Sequence, residues 1–383
     1  MAQEMMRAAV MYDIGDIRIE EVEKPSCPRD GILMKICYAT TCGTDVKTYK
    51  RGHALHKPGQ KGIFGHEASG LVAEIGPECP RDDLKVGNRI MVHDSVPCGT
   101  CYWCIHGQEN LCEKLQFFQG TYCEYKAVPK EFVQKSLYKI PDAISLKVAP
   151  AVEPMSSATW CMMNADARLN DIAVVNGAGP LGLGIVRCMS LSGCRVISCD
   201  KSADRLTRAR KMGAEFTVLV TETPEQAAER NAVPAGQRDY DVATDVAHQA
   251  ETVVGLTPAE KAGPRGCDIA IEAVGTPETW EITMKMARKG GKVILFGGCK
   301  PGTKVKVDCA WLHYAHITMK GVFHATPASE HLAYELIATG VLPEEVLITG
   351  DGKYTLDNCV QALEDHYHQV GIKNLIRIAD ETL

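Results

Sequence analysis

The sequence predicts an α/β protein that combines a doubly wound, parallel six-stranded sheet with a second, mostly β domain. Its length of 383 residues exceeds what one ordinary hydrophobic core encloses, so we expect two domains. In the first part of the chain, short apolar runs are separated by turn residues. From about Ser156 onward, apolar runs alternate with helical stretches, and a glycine-rich turn follows the first of these runs.

The N-terminal part has the pattern of antiparallel strands. Its apolar runs are short, several of them alternate apolar with polar residues, and Gly, Pro or Asn bounds them. This spacing favours an all-β, partly barrel-like domain. The expected strands are residues 6–11, 17–22, 32–36, 71–75 and 89–92.

The second part predicts a parallel sheet, because strands that alternate with helices are typical of doubly wound folds. The expected strands are residues 172–175, 195–199, 216–220, 268–272, 292–296 and 317–322. The tail from about Phe323 to Leu383 has mixed character, and we expect it to fold back onto the N-terminal domain. The expected domains are therefore residues 1–155 together with 322–383, and residues 156–321.

The connection from Thr221 to Gly266 does not fit this scheme, since loops between sheet strands are usually much shorter. It is rich in Ala, Pro, Glu and Gln, and residues 247–254 have a helical pattern. It is either a solvated excursion or a segment for contact between subunits, and the sequence does not distinguish the two.

A dinucleotide site is predicted at the glycine turn, Gly177-Ala178-Gly179-Pro180-Leu181-Gly182. The turn lies between an expected strand and an expected helix, which is the context that this motif requires. Gly177 permits the turn, Gly179 keeps side chains away from a pyrophosphate, and Gly182 lets helix and strand pack closely. The free N–H groups of the helix N-terminus would bind the phosphates. The alternative is a glycine turn without a ligand.

Asp200 ends the next apolar run and is the candidate that selects the cofactor. A carboxylate there can accept hydrogen bonds from both ribose hydroxyls and would repel a 2′-phosphate, which favours NAD over NADP. Further candidate contacts to the cofactor are Pro180, Leu181 and Arg205.

Charge and composition exclude several classes of protein. The net charge of −6 gives no indication of nucleic-acid or anionic-membrane binding. No apolar run approaches the roughly 18 residues that span a bilayer, and the stretch from Met1 to Val10 lacks the pattern of a signal peptide. We therefore expect a cytoplasmic protein. The 17 cysteines then indicate metal ligands and reduced core thiols rather than disulfides.

Four cysteines predict a structural zinc site in a lobe at about residues 95–115. Cys98, Cys101, Cys104 and Cys112 have the spacing C-x2-C-x2-C-x7-C, and four thiolates can close a tetrahedral zinc shell. A closed shell leaves no position for substrate, so its role would be structural. The alternative is an iron–sulfur cluster.

Three further residues have the chemical types of a catalytic zinc site: Cys42, His66 and Glu153. A thiolate, an imidazole and a carboxylate with one open position are typical ligands of catalytic zinc. Because these residues are far apart in sequence, spacing alone does not join them.

Together these motifs resemble the zinc-dependent medium-chain alcohol dehydrogenase family, in its sorbitol and threonine dehydrogenase branch. The resemblance spans nearly the whole chain. Beyond the glycine turn and the four-cysteine lobe, it depends on Cys42-Gly43-Thr44-Asp45, Gly65-His66-Glu67, residues 120–125, Glu153-Pro154 and residues 320–323. The stretch from Glu153 to Ser156 looks most like the polyol dehydrogenases, whereas the stretch from Cys42 to Asp45, with Tyr49, is also similar to threonine dehydrogenases.

The resemblance implies a Rossmann nucleotide-binding domain, a GroES-like catalytic domain, and homodimers or homotetramers. It implies NAD or NADP as cofactor and two zinc ions per chain. Val274 and Phe296 would line the nicotinamide side of the cofactor site.

The resemblance also assigns roles at the catalytic zinc. Cys42, His66 and Glu153 would hold the ion, and Thr44 would take the proton of the alcohol. Glu67 would be an outer or exchanging zinc ligand, or else an ion-paired carboxylate.

Lys47 departs from the family pattern, because many relatives have a histidine there that passes the proton to solvent. Lysine rarely exchanges a proton near neutral pH. The proton of the alcohol would then reach solvent through water or through Lys47 itself. Alternatively, Lys47 contacts an anionic group of the cofactor or substrate. The basic residues of this segment form either a site for a phosphorylated or carboxylated alcohol or a solvated basic face: Lys47, Lys50, Arg51, His53, His56, Lys57 and Lys61.

Three functional hypotheses follow. The first is an enzyme that transfers hydride between a secondary alcohol, such as a polyol or sugar, and NAD. The second is a dehydrogenase of L-threonine or of a phosphorylated or carboxylated alcohol. The third, of another class, is a non-catalytic protein that binds zinc and nucleotide. The third hypothesis and a zinc-free quinone reductase are both disfavoured by the presence of Cys42, Thr44, His66 and Glu153.

Overall fold

The structure of the chain, a computed structural model, describes residues 4–52, 59, 61–220 and 266–383. The chain forms two units, Met1–Ser156 together with Ala325–Leu383, and Ser157–His324. The predicted excursion at residues 221–265 lies outside the described residues, and so do His53, His56 and Lys57 of the basic segment.

Eighteen strands are described. In chain order they are β1 (Met5–Asp13), β2 (Asp16–Glu23), β3 (Ile32–Thr40), β4 (Gly62–Ile63), β5 (Ala68–Ile75), β6 (Arg89–Val92), β7 (Ser95–Val96), β8 (Gln116–Phe117), β9 (Tyr125–Val128), β10 (Leu137–Lys139), β11 (Ile172–Asn176), β12 (Arg195–Asp200), β13 (Phe216–Leu219), β14 (Cys267–Glu272), β15 (Ala287–Leu295), β16 (Thr318–Gly321), β17 (Ile348–Thr355) and β18 (Lys373–Arg377).

The described α-helices are α1 (Gly43–Arg51), α2 (Tyr102–Ile105), α3 (Lys130–Lys135), α4 (Val152–Ala165), α5 (Pro180–Leu191), α6 (Ala203–Lys211), α7 (Pro277–Met286), α8 (Cys309–Tyr314), α9 (Pro327–Ala338), α10 (Glu344–Leu347) and α11 (Cys359–Tyr367). Short 3-10 turns occur at Glu109–Leu111, Ala149–Ala151 and Leu356–Asn358.

The first unit is mostly β, as predicted. Its larger sheet has the strand order β10-β6-β5-β3-β18-β17, with β9 also paired to β3, and a smaller sheet has the order β2-β1-β4. Strand β3 lies at the centre of the larger sheet because nearly all of its residues are apolar and buried. The C-terminal strand β18 pairs antiparallel with β3, so that Leu375 lies opposite Thr40.

The second unit contains the predicted six-stranded parallel sheet, in the order β13-β12-β11-β14-β15-β16. The residues of β11 and β14 are almost all buried, which is typical of parallel strands covered on both faces. The strand order reverses between β11 and β14, and ligands of such sheets bind beyond the carboxyl ends of the strands at that point. The glycine turn follows β11 there.

The cysteines of the chain all lie in described residues, and none of them forms a disulfide. Cys188, Cys194 and Cys199 are buried in the second unit, where they pack as small apolar side chains. Among the described helices, none has an apolar stretch long enough to cross a membrane.

Candidate active site

Cys42 is fixed at the start of helix α1. Its thiol accepts a hydrogen bond from the Thr44 N–H at 3.4 Å, and the Asp45 carboxylate accepts one from the Cys42 N–H at 3.0 Å. This reciprocal cap holds the thiol at the positive end of the helix dipole. Thiolate is the form of cysteine that binds metals.

His66 precedes strand β5 and is almost fully buried. Its Nδ1 atom lies 2.9 Å from Asp45 Oδ1, which leaves Nε2 as the atom available to a metal. Burial alone would lower the pKa of His66. The charge and hydrogen bond of Asp45, followed by those of Cys42, instead raise this pKa well above its ordinary value. The surroundings of the ring are therefore negatively charged and favour a cation.

Glu67 is paired with a buried lysine that the sequence analysis missed. Lys373 Nζ lies 2.7 Å from Oε1 and 2.5 Å from Oε2 of Glu67, and both side chains are excluded from solvent. The hydroxyl of Thr40 also donates to this carboxylate. Lys373 begins β18, whose pairing with β3 brings it to the site. The signal in the sequence was weak: Lys373 and Asn374 lie between apolar residues in the stretch from Ile372 to Ile376.

Glu153 lies in the first turn of helix α4, and its side chain is buried. Burial raises the pKa of Glu153 well above its usual range, and the negative charges of Asp94, Glu67 and Cys42 add to this effect. The structure places one potential ligand atom each of Cys42, His66, Glu67 and Glu153 within 4.8 Å of one another. Residues that spacing could not join thus form one cluster.

The other candidates near this cluster differ in their contacts. Thr44 is half-buried in the first turn of α1, two residues after Cys42, and Lys47 is half-buried one turn further on. Lys50 pairs with Glu364 at 2.6 Å. Lys61 donates to Tyr12 at 2.6 Å and pairs with Glu20 at 3.3 Å. At least two members of the basic segment are therefore paired with groups of the chain itself.

The cysteine lobe brings its four thiols together: Cys98, Cys101, Cys104 and Cys112 lie within 4.8 Å of one another. The Sγ atom of Cys104 lies 3.9 Å from that of Cys98 and 3.5 Å from that of Cys101. These distances bracket the roughly 3.8 Å between sulfurs on a tetrahedron with Zn–S bonds of about 2.3 Å. Backbone N–H groups of Thr100 and Cys101 donate to Cys98, and these bonds lower the pKa of that thiol to about 5.

The glycine turn has the geometry that a nucleotide cradle requires. Gly177 has a φ of +108°, and a Cβ there would lie 2.6 Å from the side chain of Val274. A Cβ on Gly182 would lie 1.9 Å from the carbonyl oxygen of Gly177. A Cβ on Gly179 would instead meet only Arg205 Nη1, at 3.9 Å. Space is therefore open where a pyrophosphate would approach, and a guanidinium lies beside it.

Asp200 ends β12 beside this turn. Its carboxylate accepts hydrogen bonds from the N–H groups of Ala178 and Ser202, at 2.7 and 2.8 Å. Two backbone donors hold the carboxylate in one orientation, and it remains partly exposed. Pro180 and Leu181 open helix α5 and are half-buried.

Val274 and Phe296 follow the adjacent strands β14 and β15. Their segments are tied together by Glu272, which is fully buried at the end of β14. The side-chain carboxylate of Glu272 accepts a hydrogen bond from the Val274 N–H at 2.9 Å. The backbone carbonyl oxygen of Glu272 accepts one from the Phe296 N–H at 3.1 Å. Val274 keeps an exposed side chain, whereas Phe296 is half-buried.

Two family models match the chain. Residues 28–142 match the alcohol dehydrogenase GroES-like domain, and residues 180–339 match the zinc-binding dehydrogenase family. The first match contains Cys42, His66 and the cysteine lobe. The second begins within the glycine turn.

Known proteins align with nearly the whole chain. Sorbitol dehydrogenase of Bacillus subtilis (strain 168) is 27% identical over 369 residues, which are 94% of this chain and 93% of that protein. A protein of Arthroderma otae named "Probable D-xylulose reductase A" is 30% identical over 359 residues, 91% of this chain and 90% of that protein. The crystal structure of 2R,3R-butanediol dehydrogenase from Bacillus subtilis has a TM-score of 0.77 at 23% identity and covers 98% of this chain and 100% of its own, which shows the shared fold.

The two matched models cover separate parts of the chain; the first contains Cys42, His66, Glu67 and the cysteine lobe, the second begins at Pro180, and the aligned relatives extend over more than nine-tenths of the chain. The chain belongs to the zinc-dependent medium-chain alcohol dehydrogenase family, in its sorbitol dehydrogenase-like branch, and is an oxidoreductase of the alcohol dehydrogenase type.

Proposed function

We propose that the protein oxidises a secondary alcohol of the polyol class with NAD, at a zinc ion held by Cys42, His66 and Glu153. The observation that carries this proposal is the convergence of these three side chains, with Glu67, within 4.8 Å. We assign the catalytic role to residues 1–155 and 322–383 and the binding of NAD to residues 156–321.

The donor set fits zinc. Thiolate, imidazole and carboxylate are all zinc ligands, and three of them leave a fourth position for substrate. The buried carboxyl groups in and around the cluster, those of Asp45, Glu67, Asp94 and Glu153, outnumber the buried basic side chains of Lys373, His66 and His93. Uncompensated buried negative charge is costly, and a divalent cation would offset it. The four sulfurs of the lobe would hold a second, structural zinc ion.

Glu153 is the better candidate for the third ligand. Glu67 is already held by Lys373 and Thr40, whereas no described residue donates a hydrogen bond to the Glu153 carboxylate. Glu67 would therefore remain beside the metal and act on its shell or exchange with a ligand.

The chain's own groups would orient the alcohol and move its proton. When bound, zinc supplies a Lewis acid that lowers the pKa of the alcohol oxygen, and the nicotinamide supplies the hydride acceptor. Thr44 would accept the alcohol proton through its hydroxyl. Asp45 holds the ring of His66 in the orientation that presents Nε2, and Lys373 offsets the charge of Glu67.

NAD is favoured over NADP by Asp200. Its fixed carboxylate would accept hydrogen bonds from the ribose hydroxyls and repel a 2′-phosphate. Arg205 would pair with the pyrophosphate that the open space above Gly179 admits.

A neutral polyol is favoured as substrate over a phosphorylated or carboxylated alcohol. The names of the aligned sorbitol dehydrogenase and D-xylulose reductase point to polyols. In addition, Lys50 and Lys61 are engaged by acidic residues of the chain, which leaves fewer cations for a substrate anion. By family resemblance we also expect a homodimer or homotetramer, which light scattering would test.

The experiment is to follow NADH formation by absorbance against a panel of alcohols, with the zinc content measured in parallel. The panel holds linear polyols, their phosphates, cyclic secondary alcohols, hydroxy acids and L-threonine, each with NAD and with NADP. We expect turnover of a linear polyol with NAD and two zinc ions per chain. Preference for a phosphate or for threonine would overturn the substrate class. A protein that binds no zinc at the Cys42 site and oxidises no alcohol of the panel would support the non-catalytic alternative.

A further inference from the structure

A second buried polar cluster lies beside Glu153, and none of the roles assigned above uses it. We call it the His93 cluster; it consists of His93, Asp94, Ser136, Ser156 and Glu330. All five residues are buried. They come from the end of β6, the end of α3, the first turns of α4 and the start of α9, so the cluster joins four parts of the first unit.

The hydrogen bonds between His93 and Glu153 have a defined direction. Ser156 Oγ lies 2.5 Å from the carbonyl oxygen of Glu153, and a carbonyl only accepts, so Ser156 donates its proton there. Ser156 Oγ must then accept from His93 Nε2, which lies 2.8 Å away. The order of donation is therefore from the His93 ring to Ser156 and from Ser156 to the backbone of Glu153.

The other nitrogen of the His93 ring, Nδ1, faces two carboxylates and a backbone N–H. It lies 3.5 Å from Glu330 Oε2 and 3.4 Å from Asp94 Oδ1. The Ser95 N–H approaches the same nitrogen at 3.4 Å. The Oγ atom of Ser136 lies 3.4 Å from Glu330 Oε2 and 3.1 Å from the carbonyl oxygen of Ser95, so its one proton serves both acceptors. Rotation of the ring would break these contacts and the bond to Ser156 together.

The burial of these polar and ionisable side chains costs free energy of folding. Glu330 is buried on α9, and its Oε1 atom has no hydrogen-bond partner among the described residues, although it lines a small cavity with His93 and Thr326. Well-packed apolar residues usually replace such buried charges without loss of stability. The Tyr138 hydroxyl also interacts with this carboxylate, yet a buried carboxylate with one oxygen left unpaired calls for a role other than stability.

We propose that His93 and Glu330 are positioning residues that fix the first turn of α4, and with it the Glu153 carboxylate, for the catalytic metal. Glu330 and Asp94 orient the His93 ring, the ring holds Ser156, and Ser156 holds the backbone of Glu153. This inference rests on the proposed function, since it takes Glu153 to be a ligand of the metal.

The experiment measures how fast each zinc ion passes from the intact enzyme to a coloured chelator. The zinc ion of the cysteine lobe is the internal reference in every sample. Loss of a group that orients a ligand typically weakens metal binding by about 10- to 100-fold. We expect Ser156→Ala and His93→Ala to release the catalytic zinc at least tenfold faster, with the lobe zinc unchanged.

Conservative variants separate positioning from folding. His93→Gln retains an N–H that can reach Ser156, so we expect its release rate within about threefold of the wild type. Glu330→Gln keeps the shape of the side chain and removes its acidic group. We expect its rate of release of the catalytic zinc to lie between the rates of His93→Gln and His93→Ala. The matched control is His331→Gln, the exposed neighbour of Glu330 on α9. Cobalt substitution gives a second readout, because a displaced Glu153 changes the visible spectrum of the catalytic ion.

The outcomes distinguish the two proposals. If Glu153→Gln leaves the catalytic zinc in place, the ligand assignment in the proposed function is wrong. If Glu153→Gln loses that zinc while Ser156→Ala and His93→Ala behave like His331→Gln, the ligand assignment stands and the positioning role is wrong. Equal acceleration of zinc release at both sites would show general destabilisation and would also overturn the positioning role.

Discussion

At the scale of single residues, the proposed active site includes a buried ion pair between Glu67 and Lys373. Lys373 contacts both carboxylate oxygens of Glu67 and lies 3.3 Å from the carbonyl oxygen of Thr41, next to Cys42. Glu67 and Lys373 are separated by 306 positions in the sequence. Motif spacing could therefore identify Glu67 but could not supply its partner, which only the pairing of β18 with β3 brings close.

Replacement of Lys373 by methionine should destabilise the fold. Glu67 would remain buried without its counter-charge, and removal of one partner from a buried ion pair typically costs about 3–5 kcal/mol. Urea unfolding of the zinc-loaded protein measures this change in the free energy of unfolding. Lys373→Arg keeps the charge and serves as the control. A loss below about 1 kcal/mol in Lys373→Met would show that the pair contributes little.

Asp200 should set the choice of cofactor. In Asp200→Asn the side chain can still accept one of the two backbone hydrogen bonds, but it no longer repels a 2′-phosphate. We expect the ratio of kcat/KM with NAD to kcat/KM with NADP to fall at least tenfold, equivalent to about 1.4 kcal/mol. Steady-state kinetics with both cofactors measure it, and a thermal melt monitors the fold. An unchanged ratio would assign the discrimination to another residue.

At the scale of elements, the glycine turn was predictable because its requirements are local. The strand before it, the helix after it and the three glycines of the turn all lie within residues 172–191. The cysteine lobe was predictable for the same reason. The catalytic cluster could be assembled only by resemblance, since Cys42, His66 and Glu153 lie on separate elements. The His93 cluster gave no signal, because buried His and Glu side chains look like surface residues in a sequence.

Gly182→Ala should have two opposing effects on the stability of the fold. In a helix, replacement of glycine by alanine normally stabilises by about 0.5–1 kcal/mol. Here the new Cβ would lie 1.9 Å from the carbonyl oxygen of Gly177, so the turn must move. We expect a net loss of stability of about 1–3 kcal/mol and at least tenfold weaker binding of NADH.

Urea unfolding and a fluorescence titration with NADH measure the two effects of Gly182→Ala. Gly321→Ala is the matched control, because nothing lies within 4 Å of a Cβ at that position. Tighter or unchanged NADH binding in Gly182→Ala would mean that the close approach of helix and strand is not required for the cradle.

At the scale of the whole molecule, we assign the chemistry and the binding of cofactor to different units. Both candidate metal-ligand clusters consist of residues from the N-terminal part of the first unit, its C-terminal tail contributes Lys373 beside one of them, and the glycine turn belongs to the second unit. The sequence predicted this division of strands because a change in periodicity near Ser156 is visible without any structure. The C-terminal tail joins the first unit through the pairing of its strand β18 with β3.

This division predicts that loss of each metal site has a different consequence. Cys42→Ser should abolish turnover and remove one zinc ion, while NADH binding stays near that of the wild type. Cys98→Ser should remove the other zinc ion and lower the melting temperature, because the lobe loses its cross-link, but the folded fraction should retain turnover. Metal analysis, thermal melts, NADH titration and kinetics on both variants give four independent readouts. If Cys42→Ser lost NADH binding in proportion to turnover, the metal would be needed to form the cofactor site, and the separation of tasks between the two units would be wrong.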